Sequence, residues 1–145
     1  MKNILVIGAG RSAVTLIKYL LDNALENNWN VRVGDFSEDL AKKATGVHPN
    51  GSAFLFDVFN DNQRILEISN ADIVISMLPA SKHVVVAQDC VKLKKHLITA
   101  SYVSKEINAL DLPAKQAGVL LLNEIGLDPG IDHMSAMSVI DGVKE

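Results

Sequence analysis

The chain carries a single cysteine, Cys90, in 145 residues, which excludes an intrachain disulfide framework and a cysteine-rich zinc site. Its four histidines, His48, His83, His96 and His133, are scattered and mark no metal centre. Arginine is scarce, with only Arg11, Arg32 and Arg64, and the net charge is −3 with a pI near 5.8. That balance leaves no basic footprint for nucleic acid or an anionic membrane surface. No uninterrupted apolar run approaches the ~20 residues of a membrane helix, although the mean hydropathy is +0.18. The N-terminus lacks the basic segment, apolar block and small-residue cleavage site of an export signal, so the expected location is cytoplasmic. What is present is an apolar fraction of 48% against 21% charged residues, enough for an ordinary core in one domain over residues 1–145.

Short apolar runs alternate with longer amphipathic ones. Asn3–Ile7, Asn30–Gly34, Ala53–Val58, Asp72–Met77, His96–Ala100 and Val119–Asn123 read as six strands. After the first strand, Ile17, Leu20, Leu21, Ala24 and Leu25 recur at helical spacing and form one core-facing side. Further helices are expected over Glu38–Ala44, Asp61–Ser69, Ser81–Lys94, Ser104–Gln116 and Asp132–Val143. Ser37 is the expected N-cap of the first of these, and Pro113 is expected to break or kink the stretch that holds it. Strands separated by helices predict right-handed βαβ crossovers. The expectation is an α/β, doubly wound Rossmann fold: six parallel strands in the order 3-2-1-4-5-6, with helices on both faces.

Between the first strand and the first helix stands Gly8-Ala9-Gly10-Arg11-Ser12-Ala13, the G-x-G-x-x-A form of the dinucleotide fingerprint. Gly8 permits the tight turn, Gly10 lets backbone approach a pyrophosphate, and Ala13 keeps the helix close to the sheet. Arg11 and Ser12 lie at the helix N-terminus, whose free N–H groups favour an anion. Asp35 ends the second strand, followed by Phe36 and Ser37, at about the spacing where a carboxylate accepts hydrogen bonds from the adenosine ribose. A carboxylate there repels a 2′-phosphate, which leans the cofactor towards NAD over NADP; Ser37, Lys42 and Lys43 are the residues for a phosphate pocket in the other case. Asp57 and Val58 close the third strand where adenine would lie, and Asp57 reads equally as the start of a turn. Leu78-Pro79 and Ala100-Ser101-Tyr102 follow strands four and five on the carboxyl edge, where doubly wound sheets bind their ligands.

Two longer segments are more specific. Ser101-Tyr102-Val103-Ser104, followed by Asn123-Glu124-Ile125-Gly126-Leu127-Asp128-Pro129-Gly130-Ile131-Asp132-His133-Met134, resembles the saccharopine dehydrogenase family, nearest its L-glutamate-forming members. The resemblance extends over essentially all 145 residues. It implies an NAD(P)-dependent oxidoreductase acting on a secondary amine, in which saccharopine is oxidised and the imine is hydrolysed to glutamate and aminoadipate semialdehyde. It also implies that Ser101, Tyr102 and Asp128 border nicotinamide and substrate, with Leu127, Asp128 and Pro129 touching the cofactor. Tyr102, Asp128 and His83 are then the candidates for positioning or proton transfer.

The chain departs from the family at Ala80, where the family has an aromatic residue within L-P-Tyr-x-x-His; here the run is Leu78-Pro79-Ala80-Ser81-Lys82-His83. The resemblance further implies a second α+β domain for substrate binding and homodimerisation that these 145 residues do not include. The expected partner is a small amino-acid substrate. A related carboxyspermidine- or homospermidine-type dehydrogenase and a dinucleotide-sensing module without catalysis are the two alternatives.

Overall fold

Strand β1 (Lys2–Ile7) runs through the centre of the molecule because it is apolar on both sides. Ile4 and Val6 point to one face of the sheet and Leu5 and Ile7 to the other, all at 5% exposure or less. It pairs in parallel with β2 (Trp29–Asp35) and β4 (Ile73–Ser76). Strand β3 (Gly51–Leu55) continues the sheet beyond β2, and β5 (His96–Thr99) and β6 (Leu121–Leu122) continue it beyond β4. The order is β3-β2-β1-β4-β5-β6, the doubly wound topology that the alternation of the sequence predicts. This computed structural model describes residues 1–144.

Two cores result, one on each face. On the first, α1 (Val14–Asp22), α2 (Ala24–Asn27) and α3 (Glu38–Thr45) bury Ile17, Leu21, Ala24 and Ala41 against Ile4, Val6, Val31 and Val33. On the second, α4 (Asp61–Ser69), α5 (His83–Leu93) and α6 (Lys105–Asn108) bury Ile68, Val86, Cys90 and Ile107 against Leu5, Ile7, Val74 and Leu97. Burying each large aliphatic side chain contributes about 1.5–3 kcal/mol. Cys90 is a core residue, and burial pushes its thiol up to about 12, so it is inert. Ser37 caps α3 as expected, its Oγ accepting the Leu40 N–H at 3.4 Å.

The structure departs from the pattern at four places. The first helix is interrupted at Asn23, and the turn rotates Leu25 outward to 67% exposure. Strand β3 starts at Gly51 and stops at Leu55, so Asp57 and Val58 lie in the loop beyond it. Ser104–Gln116 divides into α6 and α7 (Asp111–Ala117), and the division falls before Pro113. Pro113 sits in the first turn of α7, where its missing N–H would have had no partner in the helix. The closing helix, α8 (Ile131–Lys144), buries none of its side chains; Met134, Val139 and Val143 are 60%, 68% and 82% exposed.

Among the described residues, the most buried cation in an ion pair is Arg64, which pairs with Asp89. Arg64 on α4 donates Nε to Asp89 Oδ2 on α5 at 2.6 Å and Nη1 to the Val58 carbonyl at 2.5 Å, while only 7% exposed. Removing the guanidinium strands a buried carboxylate, so Arg64→Ala is expected to lower unfolding stability by about 3–5 kcal/mol. Urea unfolding followed at the lone tryptophan, Trp29, measures it. The double variant Arg64→Leu/Asp89→Leu should recover most of the loss, because no unpaired charge then remains.

Candidate functional site

The glycine loop is built as the fingerprint requires. Gly8 has φ +103°, donates its N–H to the Gly34 carbonyl at 2.8 Å, and would carry a Cβ 2.9 Å from the Met77 carbonyl oxygen. No other residue fits that turn. A Cβ at Gly10 would meet nothing within 4 Å, so the cradle is open on its outer side. Ala13 is fully buried and donates its N–H to the Gly10 carbonyl at 2.9 Å, pinning α1 to the sheet. No side chain caps α1, so its first-turn N–H groups, next to Arg11 and Ser12, stand free for an anion.

Asp35 braces the backbone at the end of β2. Its Oδ2 accepts the Ala9 N–H at 2.7 Å, and its Oδ1 accepts the Ser37 N–H at 2.8 Å. The carboxylate is a clamp between the glycine loop and the start of α3, each oxygen accepting one backbone N–H. Bonds to backbone give the lean towards NAD no positive support.

Beside this clamp a cavity of about 410 Å³ opens between the ends of β2, β3 and β4. Asp35, Phe36, Asp57, Val58, Leu78 and Pro79 line it, so six residues expected at the cofactor come together there. Phe36, 79% exposed, stands on its rim. Asp57 also forms the turn that was its plainer reading, with Oδ1 accepting the Phe59 N–H at 2.9 Å. Gln63, Arg64 and Lys82 escaped the sequence reading. Gln63 accepts the Asp57 N–H at 3.0 Å and donates to the Leu55 carbonyl at 2.7 Å, holding the cavity wall. Lys82 lies 5.2 Å from the Phe59 ring centroid on the rim. Their signals were absent because a lone Gln, Arg or Lys in the helical stretch after a strand looks like any exposed helix position.

The other half of the edge is formed by the loops after β5 and β6. Tyr102 donates its hydroxyl to Asp128 Oδ1 at 2.5 Å, and this bond raises the Tyr102 pKa above its ordinary value, keeping the phenol protonated. Asp128 is carried on a tight loop in which Gly126 N–H bonds Pro129 O, Ile131 N–H bonds Gly126 O, and Asp132 N–H bonds Leu127 O, at 2.9, 2.9 and 3.0 Å. The Asp128–Pro129 peptide is cis, and a Cβ at Gly130 would collide with the Gly126 backbone. Glu124 was also missed. It adopts φ +63°, donates its N–H to the Ser101 carbonyl and accepts the Val103 N–H, both at 3.1 Å, and so ties the two loops together. A left-handed glutamate has no sequence signal. His133 pairs with Asp132 at 2.8 Å on the outside of this loop.

His83 does not stand free in the site. It begins α5 at 3% exposure, with Nδ1 2.8 Å from Ser76 Oγ and Nε2 2.8 Å from Ser101 Oγ and 3.1 Å from Thr99 Oγ1. Burial lowers its pKa, so the ring is neutral near pH 7. Of the two roles expected for His83, positioning or proton transfer, a ring enclosed by three hydroxyls favours positioning. Among the described residues no cluster of three or more His, Cys, Asp or Glu side chains forms a metal site, and no helix is long and apolar enough to cross a membrane.

The profile of the saccharopine dehydrogenase NADP binding domain matches residues 4–122. An alpha-aminoadipic semialdehyde synthase of Arabidopsis thaliana is 52% identical over 89 residues, covering 61% of this chain and 8% of that protein. The NADP(+), L-glutamate-forming saccharopine dehydrogenase of Pyricularia oryzae is 35% identical over 142 residues, 98% of this chain and 31% of that one. The apo structure of the L-Glu-forming saccharopine dehydrogenase from Saccharomyces cerevisiae superposes with a TM-score of 0.87 at 32% identity, covering 99% of this chain and 32% of that chain. The chain spans about a third or less of the length of these relatives. With the profile covering most of the sequence and the yeast structure overlying it from end to end, the chain belongs to the saccharopine dehydrogenase family, whose NAD(P)-binding domain it forms.

Proposed function

We propose that this chain is the NADP-binding domain of an L-glutamate-forming saccharopine dehydrogenase, acting on the secondary amine that joins the two halves of saccharopine. The observation that carries the reading is the Tyr102–Asp128 pair, held by a glycine-locked loop on the sheet edge that also carries the glycine cradle. Bound nicotinamide supplies the hydride acceptor or donor for the amine–imine interconversion. The chain's own residues bind and orient. Gly8 and Gly10 with the N-terminus of α1 take the pyrophosphate, the cavity beside Asp57 and Val58 takes adenine, and backbone at Leu127–Pro129 borders the nicotinamide. Tyr102, kept protonated, holds one oxygen of Asp128, leaving the other to accept a hydrogen bond from the substrate amine.

NADP is the cofactor that the side chains around the glycine loop support. Arg11 and Lys43 line a second cavity, of about 430 Å³, between that loop and α3. Neither has an ion-pair partner among the described residues, whereas Lys42 is engaged by Glu38 at 2.8 Å. Two cations without ion-pair partners among the described residues, between the glycine loop and α3, suit the dianionic 2′-phosphate. The apolar side of α8 supports a further domain in the longer protein, which covers Met134, Met137 and Ile140 and supplies the cationic side chains for the substrate's carboxylates.

Calorimetric titration of the chain should show tighter binding of NADP than of NAD; a preference for NAD would overturn the cofactor assignment. Arg11→Ala and Lys43→Ala should each weaken NADP by about tenfold or more and leave NAD nearly unchanged, since each removes a charge-assisted contact to the 2′-phosphate alone. In the full-length protein, Asp128→Ala should lower kcat/KM for saccharopine by about 10- to 100-fold with NADP affinity retained. Unaltered turnover in that variant would sink the role given to Asp128.

A further inference from the structure

We infer that His83 is a positioning residue whose ring holds the Ser101 oxygen from below and leaves the Ser101 O–H available to donate to an acceptor atom of substrate or nicotinamide. The inference rests on the reading of the Ser101–Asp128 edge as the reaction side. It starts from proton counting. A neutral imidazole has one N–H and one bare nitrogen, and which nitrogen carries the proton follows from its partners.

Ser76 Oγ is 2.8 Å from Nδ1, and among the described residues it has no other hydrogen-bond partner. The residue is 1% exposed, so solvent does not take its proton. Its O–H is satisfied only by donating to a bare Nδ1. At the other nitrogen two oxygens converge, Ser101 Oγ at 2.8 Å and Thr99 Oγ1 at 3.1 Å. One N–H shared between two acceptors is a common three-centre arrangement, whereas one in-plane lone pair does not serve two donors well. Thr99 Oγ1 also lies 3.4 Å from the Ser101 N–H, again in the accepting role. The Ser76 end thus selects the tautomer protonated at Nε2, and the two oxygens at Nε2 are placed to share that proton.

The consequence falls on Ser101. Its oxygen accepts from His83, so its own O–H is not spent on the ring, and the residue is half-buried. With one lone pair held by the ring, the proton of Ser101 is left for a ligand. That O–H suits a carboxylate of the amino-acid substrate or the carboxamide oxygen of the nicotinamide.

Nitrogen NMR of the histidine-labelled chain reads the tautomer directly. A protonated Nε2 and a bare Nδ1 at neutral pH are expected; the opposite tautomer, or an imidazolium, would overturn the inference. Kinetics of the full-length enzyme read the consequence. Ser101→Ala should raise one KM, for saccharopine or for NADP, by about tenfold with a smaller change in kcat. His83→Gln keeps an amide N–H near the Nε2 position and should retain more activity than His83→Asn, which reaches only towards Ser76. The double variant His83→Asn/Ser101→Ala should be no worse than Ser101→Ala alone, whereas additive losses would show that His83 acts elsewhere. If the tautomer is as stated but Ser101→Ala leaves both KM values unchanged, donation to ligand is overturned and the fault lies with the reading of the edge, not with the buried network.

Discussion

Gly8 is the point on which the rest of the site depends. The chain leaving β1 must pass between the end of β2, where Gly8 bonds the Gly34 carbonyl, and the end of β4, where the Met77 carbonyl leaves no room for a Cβ. Only a residue free to take φ +103° without a side chain makes that passage. Once it is made, α1 starts directly over the carboxyl edge, and the two halves of the sheet diverge on either side. The adenine-sized cavity lies towards β2 and β3, and the Ser101–Asp128 loops lie towards β5 and β6. The crevice is thus a product of strand order, and the loops need only be held still within it.

They are held by side chains that accept or donate to backbone. Asp35 spans the glycine loop and the start of α3, Gln63 spans the two sides of the turn at Asp57, and Glu124 spans the loops after β5 and β6. Each braces irregular backbone with a charged or amide group, where a charge-assisted bond to an N–H is stronger than a neutral one. Loops so braced arrive at a ligand already ordered, which reduces the entropy lost on binding. The same division explains why several polar residues nearest the site make no free contact with it.

Much of the architecture was legible because it follows from pattern. β1 reads as a strand buried on both faces, the glycine fingerprint stands in its strand–turn–helix context, and the alternation of elements implies the order in which they lie. What escaped depends on where a side chain goes after folding. Asp35 sits at the position and spacing of a ribose ligand, and nothing in its neighbours announces that its oxygens also accept the Ala9 and Ser37 N–H groups. Pro113 looks like a breaker until the helix is seen to start two residues before it, where a missing N–H is harmless. Arg64 and Asp89 are 25 residues apart on separate helices, and only packing makes them a buried pair. The specific run from Asn123 to His133 revealed the family, but not that Glu124 within it is left-handed and structural.

Neutral and charged groups occupy different depths in this edge, and the dielectric accounts for it. Deep in the sheet, the polar atoms of Ser76, His83 and Thr99 are paired with one another as uncharged groups, because an ion there would lose its hydration with no opposite charge against it. The Arg64–Asp89 ion pair lies at similar depth and is admitted because each charge faces the other. Further out, Tyr102 is 60% exposed and its partner Asp128 stands with it on the surface of the loop, where a carboxylate keeps its hydration. A ligand closing over this loop displaces water from a charged group whose partner is already in place. The inner hydroxyls, by contrast, are neutral and already paired around the His83 ring, so they order the edge without adding charge to it.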